Sequence, residues 1–506
     1  MSNVAAPATI TVHPSFVTGE IDRRIFGSFV EHLGRAVYTG IFEPGHPTAD
    51  EQGFRADVAE LTRELGTTVV RYPGGNFVSN YDWRDGIGPR AERPRRADLA
   101  WRTIETNQVG TDEFVAWCRT TGTEPMFAVN LGTRGIEDAA KWVEYCNLPG
   151  GTDLSDERRA NGSEAPHDVR LWCLGNEMDG PWQIGHKTAE EYGRLASQAA
   201  QAMLRTDPSI ELVVCGSSAR DIATYGEWER IVLEHTYEQV DYISVHAYYQ
   251  ERDGDRSSFL GSGEALDRFI REVAATADAV GARKRSDKRI RLSVDEWNVW
   301  YIDDFVGEDN IAEFVEAPPL LEDVYSLIDA VVVGDLLATL LRNADRVAIA
   351  CLAQLVNVIA PIRTEPGGAA WRQTTFYPIA LVAELASGVA LDARVVGPTI
   401  ETAKHGDIPG IGTAVTWDAA TGSLVFLLTN RGTEALPVEL DHAAFGTFSL
   451  DRAVTIVSDA AGPRTTAESA SAAQPVALDG VVVAPGSTML TLPAESWSLV
   501  ALTLED

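Results

Sequence analysis

Two glutamates close apolar runs of this chain. Glu177 ends the run from Val169, and Glu296 ends the run from Ile290 with Trp297 directly behind it. Each run reads as a buried β-strand that finishes on a carboxylate. Removing a carboxylate from water is costly unless the group is paired or used. Two such ends in one chain point to a paired-carboxylate site, the apparatus of glycoside hydrolysis, in which one carboxyl is a protonated acid and the other an ionised nucleophile. A separation of roughly 5–5.5 Å implies retention through a covalent glycosyl-enzyme, and roughly 6.5–9.5 Å implies inversion. The simpler alternative is that each Glu marks where a strand meets water.

The elements that must position the pair are legible as eight short apolar, β-branched runs: Ile25 to Val30, Thr67 to Arg71, Pro125 to Asn130, Val169 to Leu174, Ile210 to Cys215, Tyr242 to His246, Ile290 to Val294 and Arg346 to Leu352. Helical segments fill the gaps. One starts at a capping box, Thr188 with Glu191, and stops at Asp207-Pro208; another, Asp323 to Arg342, is long and very apolar, as packing on a barrel wall requires. Continuous apolar strands alternating with helices indicate a parallel sheet covered on both faces. Eight units over this length fit an α/β fold, a (β/α)8 TIM barrel with enlarged loops. A doubly wound open sheet is the alternative, disfavoured because no glycine-rich phosphate loop follows the first strand. In such a barrel the active site lies at the C-terminal strand ends. By that rule Glu177 closes the fourth strand and Glu296 the seventh, facing each other across the mouth. Strand alternation turns Asp295 away from Glu296.

Other strand ends are also polar: Glu31 and His32, then Arg71 with Gly74, Gly75 and Asn76, then Asn130, His246 with Tyr248, and Gln354 with Asn357. Converging amides, carboxylates and hydroxyls are what sugar hydroxyls require, although any barrel rim is polar. Trp83, Trp101, Trp182, Trp297 and Trp300 fall in loops at the same end, where indole faces stack on sugar rings or pack beneath their own loops. The loop Arg84 to Arg102 carries six Arg against three acids and is expected to pair with acidic loops such as Asp303 to Glu316, or with another subunit.

Near Ala386 the texture changes to short alternating strands: Ile411 to Trp417, Ser423 to Thr429, Ala453 to Val457, Val481 to Ala484 and Trp497 to Leu504. Turn signals separate them, and Ala460 to Gln474 reads as a loop. This is an antiparallel β-sandwich, jelly-roll-like, to which Ala8 to His13 adds a strand. The division is residues 1–20 as an N-terminal strand joining the sandwich, 21–385 as the catalytic barrel and 386–506 as the sandwich.

Composition sets outer bounds. The chain has 506 residues, 45% of them apolar and 23% charged, so it is globular with ample core. Its net charge of −32 disfavours nucleic acid and anionic membranes as partners and suits a neutral ligand, although acidity can equally reflect solubility or a halotolerant host. No stretch has the apolar length of a membrane span, and Met1 to Pro14 lacks the features of a secretory signal. Five cysteines, an odd number lying largely in strands, read as reduced core residues of a cytoplasmic protein. Metal-ligand spacings such as Cys-x-x-Cys or His-Glu-x-x-His are absent, so neither metal nor cofactor is expected.

Beyond these readings, several motifs carry a resemblance. Phe26 to His32, Arg71 to Asn76, Gly175 to Trp182, Asp295 to Asn298 and Ala353 to Asn357 resemble, in order, the signatures of the family 51 glycoside hydrolases. The resemblance implies a retaining, exo-acting α-L-arabinofuranosidase releasing terminal arabinofuranosyl groups from arabinose-containing oligo- and polysaccharides, with Glu177 as acid/base and Glu296 as nucleophile. It implies that Glu31, Asn76, Asn176, Tyr248 and Gln354 hold the furanose. Arg71 and His246 then position the nucleophile, and Trp101 and Trp300 lie near the leaving group. It further implies a cytoplasmic hexamer without a catalytic metal. Two other readings stay open: an endo-acting β-glucanase or xylanase on the same scaffold, and a catalytically dead arabinan-binding protein.

Overall fold

The computed structural model describes residues 7–305, 307, 314–458 and 464–505. Part of the acidic loop Asp303 to Glu316 and the start of the segment from Ala460 to Gln474 lie outside the described residues. Eight parallel strands close into a barrel in chain order: β1 (Gly27–Phe29), β2 (Val69–Tyr72), β3 (Glu124–Ala128), β4 (Leu171–Cys173), β5 (Glu211–Val214), β6 (Tyr242–Tyr249), β7 (Arg291–Val299) and β8 (Val347–Ala353). Strands β2 and β8 are buried along their whole length, because side chains fill the barrel on one face and helices cover the other.

The strand boundaries differ from the sequence reading in a way that matters for the site. Arg23–Phe26 forms a 3-10 turn, so β1 starts only at Gly27. Strands β6 and β7 run longer than the apolar pattern, which places Tyr248 and Glu296 inside strands rather than beyond them.

The very apolar helix starts at Leu327, not Asp323, after Ser326 and Asp329 form a capping box, and it ends at Arg342. Nearly all of it is buried because it is clamped between two domains, not only laid on the barrel wall. Its outer face meets five strands of the second domain. Gly334 permits this contact: a Cβ there would lie 2.5 Å from the Trp497 indole.

The second domain is two stacked antiparallel-rich sheets of five and seven strands. Both N-terminal segments join it. Ala8–Thr11 inserts between Arg394–Val396 and Leu436–Asp441, and Val17–Glu20 pairs with Val389–Leu391. Three further strands of this domain, Val389–Leu391, Leu436–Asp441 and Ser487–Leu492, are absent from the sequence reading, although the last two alternate between buried and more exposed residues. All five cysteines are buried and unpaired. No helix among the described residues is long and apolar enough to cross a membrane.

The arginine-rich loop meets the expectation in part: Arg95 pairs with Glu316 and Arg102 lies over the Phe314 ring, both in the acidic loop, whereas Arg96 pairs with Asp85, and Arg90 and Arg93 share Glu113.

A buried ion pair pins the two domains together. Arg431 of the sandwich is fully buried and donates to Asp335 of the clamped helix at 2.8 Å and to Glu264 at 3.0 Å. Removing one partner leaves an uncompensated buried charge, which costs about 3–5 kcal/mol. Asp335→Ala is therefore expected to lower the unfolding free energy by that amount, measured by urea unfolding as an earlier midpoint. A variant as stable as the parent would show that the pair does not hold the domains.

Candidate active site

The site forms at the C-terminal mouth of the barrel, where four carboxylates and two cationic side chains are brought together out of water. Arg71, at the end of β2, is almost wholly buried and is the centre of the array. It donates from Nη1 to Glu296 Oε1 at 2.7 Å and from Nη2 to Asn176 Oδ1 at 2.7 Å, and its Nε lies 3.8 Å from Asp295 Oδ2. Tyr248 donates to the other Glu296 oxygen at 2.6 Å. Glu296 thus enters the site fixed at both oxygens, the arrangement a nucleophile needs to hold one orientation.

Glu177 reaches the mouth through an unusual turn. Gly175 and Glu177 both have positive φ, 98° and 42°. The left-handed conformation is cheap for glycine but strained for a glutamate. It folds the chain back so that Asn176 points down to Arg71 while Glu177 overhangs the barrel. Glu177 Oε1 then meets His246 Nδ1 at 2.9 Å, and Oε2 accepts from the half-exposed Trp182 indole at 2.6 Å. One oxygen from each glutamate and a ring nitrogen of His246 lie within 4.8 Å of one another. That spacing fits the retaining geometry and is too short for an intervening water-activating base.

Asp295 corrects the alternation argument. Ser293 pairs with Ser244 and Glu296 with His246, so β7 carries two residues opposite Val245. This bulge breaks the two-residue period. As a result both Asp295 and Glu296 turn toward the same cations, and Asp295 Oδ1 lies 3.1 Å from His246 Nε2. Burial opposes ionisation of Asp295, but Arg71 and His246 outweigh it and hold its carboxyl below the usual range. Burial likewise disfavours charge on His246, yet the neighbouring Glu296, Asp295 and Glu177 raise its pKa well above that of a free imidazole.

Glu31 forms a second wall. Its Oε1 accepts from the Phe77 amide at 3.0 Å and the Trp101 indole at 2.9 Å, and its Oε2 meets Gln354 Nε2 at 3.3 Å. Burial is the main cause that pushes its pKa up to about 8, with the Glu296 charge adding to it. Gly75 separates the two acids: a Cβ there would lie 3.2 Å from both Glu296 Oε1 and Glu31 Oε2, so no larger residue fits without displacing a carboxylate. Asn76 starts the short 3-10 turn beside it and is half-buried.

The structure therefore brings together Glu31, Arg71, Asn76, Asn176, Glu177, His246, Tyr248, Glu296 and Gln354. Trp101 and Trp300 border them, the first on Glu31 and the second edge-on to Tyr248 at 5.1 Å. Other polar strand ends serve the scaffold. Asn130 ties down its own loop and Tyr81, Asn357 binds Thr364 and the Arg35 carbonyl, and His32 is held between Glu105 and Tyr72. Trp83 and Trp297 are core residues. Sequence reasoning missed Asp295 as a site residue, because only the bulge turns it inward. It also missed Gln183, which accepts from Asn176 Nδ2 at 3.3 Å and has no motif of its own. Among the described residues only Glu177, His246 and Glu296 are grouped as metal ligands could be. Both ring nitrogens of His246 face carboxylates, Nδ1 that of Glu177 and Nε2 that of Asp295.

Comparison with known proteins agrees with this geometry. Residues 61–259 match the family model described as the alpha-L-arabinofuranosidase 1 domain, and residues 295–496 match the alpha-L-arabinofuranosidase C-terminal domain. An intracellular exo-α-(1→5)-L-arabinofuranosidase of Streptomyces lividans is 52% identical over 97% of this chain and 75% of its own length. An exo-α-(1→6)-L-arabinofuranosidase of Bifidobacterium longum is 56% identical over 84% of this chain and 83% of its own. The solved family 51 α-L-arabinofuranosidase from Bifidobacterium longum superposes with a TM-score of 0.94 at 46% identity, covering 98% of this chain and 100% of that one. The motifs, the closed barrel with its sandwich and these relatives lead to one conclusion: the chain belongs to the family 51 glycoside hydrolases, the α-L-arabinofuranosidases.

Proposed function

We propose that Glu177 and Glu296 are the acid/base and the nucleophile of this exo-acting, retaining α-L-arabinofuranosidase. The observation that supports the assignment is the approach of the two carboxylates to within 4.8 Å through His246, with Glu296 anchored at both oxygens and Glu177 overhanging the mouth. In the first step a Glu296 oxygen bonds to the anomeric carbon. The bond to the aglycone breaks with its electron pair on the leaving oxygen, which takes the proton of Glu177. In the second step a water oxygen attacks the same carbon, its proton passes to Glu177, and Glu296 returns to a carboxylate. Arg71 and His246 position the carboxylates. Glu31, Asn76, Asn176, Tyr248 and Gln354 hold the furanose, and Trp101 and Trp300 wall the leaving-group side.

The two alternatives lose support. A bifunctional glucanase-xylanase is similar at a TM-score of 0.57 and 14% identity, a likeness of fold alone. A binding protein has no use for a strained Glu177 above an anchored Glu296. Relatives of similar identity are named for α-(1→5) and α-(1→6) linkages, so the shared machinery reads the furanose and the loops read the aglycone. A cytoplasmic homo-hexamer is the assembly we favour. Intracellular relatives support the location, and exposed valines on the sandwich strands, Val396 at 72% and Val482 at 60%, offer apolar contact area. Sedimentation gives the subunit number.

Three outcomes test the assignment. Glu296→Ala is expected to abolish turnover of an aryl α-L-arabinofuranoside, with azide restoring it as the inverted glycosyl azide; undiminished turnover would remove Glu296 from the role. Glu177→Ala should lose about 10²–10⁴-fold on substrates with poor leaving groups and far less on activated ones. A uniform loss would count against the acid role. Glu31, neutral below about 8, can donate to a sugar hydroxyl and becomes a second anion beside Glu296 above it. The KM is therefore expected to rise as pH passes about 8, and Glu31→Gln should flatten that rise. A KM that rises identically in the variant would assign the titration elsewhere.

A further inference from the structure

Glu177 has two inequivalent oxygens, and only one can serve the leaving group. Oε1 faces inward, onto His246 Nδ1 at 2.9 Å; Oε2 faces the mouth, beside the half-exposed Trp182 indole at 2.6 Å. An acid whose proton rests on Oε1 cannot deliver it outward. Something must keep the proton on Oε2.

His246 decides this, because its ring can play two parts. A neutral imidazole has one donor and one acceptor nitrogen, and its acceptor would take the proton of Glu177 at Oε1. An imidazolium donates from both nitrogens, occupies Oε1 and leaves Oε2 as the only oxygen able to carry a proton. The partner on the far side of the ring is Asp295, whose Oδ1 lies 3.1 Å from Nε2. We propose that Asp295 is a positioning residue for the acid step: it accepts from His246 Nε2, keeps both ring nitrogens protonated and thereby confines the proton of Glu177 to Oε2. The proposal rests on the reading of Glu177 as the acid/base.

The surroundings support the assignment. Asp295 is itself almost wholly buried and needs cations to remain ionised. Arg71 Nε lies 3.8 Å from it with no other partner among the described residues, and Cys173 Sγ approaches Oδ2 at 3.8 Å. Glu296 Oε2 stands 3.7 Å from His246 Nδ1 and adds to the field that favours the imidazolium. Tyr248 is engaged with Glu296, and Glu31 lies beyond it. On the outer side of β6, Arg220, Asp221, Arg268, Lys404 and His405 share a crevice of about 280 Å³ with His246, and none of them has a hydrogen bond to its ring. The bulge in β7 is what makes the contact: without the extra residue Asp295 would face the outer helices.

The test separates this role from a merely structural one. Asp295→Asn keeps the shape but replaces the anion with a neutral amide oxygen; a neutral His246 then keeps its proton on Nε2, donating to that oxygen, and accepts from Glu177 Oε1 at Nδ1. The expected result is a fall of roughly 100-fold in kcat/KM on an alkyl arabinofuranoside with a poor leaving group, with a change of less than about 5-fold on a dinitrophenyl arabinofuranoside, which needs no proton. Nitrogen-15 NMR of the intact wild-type enzyme is expected to show both His246 ring nitrogens protonated through pH 8, and one of them unprotonated in the variant. Equal losses on both substrates would overturn the proposal, because they indicate a displaced nucleophile. So would a wild-type His246 with one bare nitrogen, a result that decides the matter even where the variant fails to fold. Glu177→Ala on the same two substrates checks the acid/base reading separately.

Discussion

Everything at the barrel mouth depends on the burial of Arg71. A guanidinium removed from water must be surrounded by acceptors, and Arg71 finds them in Glu296, Asn176 and Asp295. The same requirement runs in reverse for the carboxylates, each of which could not be buried alone. Cations and anions that share one dry cavity fix each other's positions more tightly than packing could. This is why residues from β2, β6 and β7 and from the turn after β4 meet within a few ångströms, although as many as 225 residues separate them in sequence.

Two local irregularities supply the exceptions that such a cluster needs. The bulge of β7 turns consecutive residues inward, and the left-handed turn at Glu177 lifts one carboxylate above the others. Neither is favourable by itself. Both persist because the ionic contacts they permit over-determine the backbone. Regular strands would have delivered alternate residues only, and the anchor of His246 would have been lost to the helical layer.

The barrel was legible because its strands are buried on both faces and stand out as unbroken apolar runs between helices. Glu177 and Glu296 were legible because charges at the ends of such runs violate the pattern. The role of Asp295 was not, since the two-residue period of a strand forbids it and nothing in the sequence marks a bulge. Gln183 and the double clamp on the helix Leu327–Arg342 were hidden for a related reason: apolar and amide side chains do not announce which neighbour they will meet. The two-domain contact was visible only as an excess of apolarity that a barrel wall alone did not demand.

The N-terminal strand Ala8–Thr11 lies between partners that come from residues 394–396 and 436–441. On the ribosome this strand, made before the barrel, must therefore wait for partners made after it. The barrel is complete when residue 385 emerges, yet the outer face of Leu327–Arg342, including the groove at Gly334 that Trp497 fills, stays bare until the sandwich closes over it. Chain synthesis thus passes through a stage with a finished catalytic core and an uncovered apolar helix, a surface that chaperones recognise and that invites aggregation. Circular permutation that joins the N-terminal strand to the end of the sandwich would remove the wait by making all of that domain contiguous.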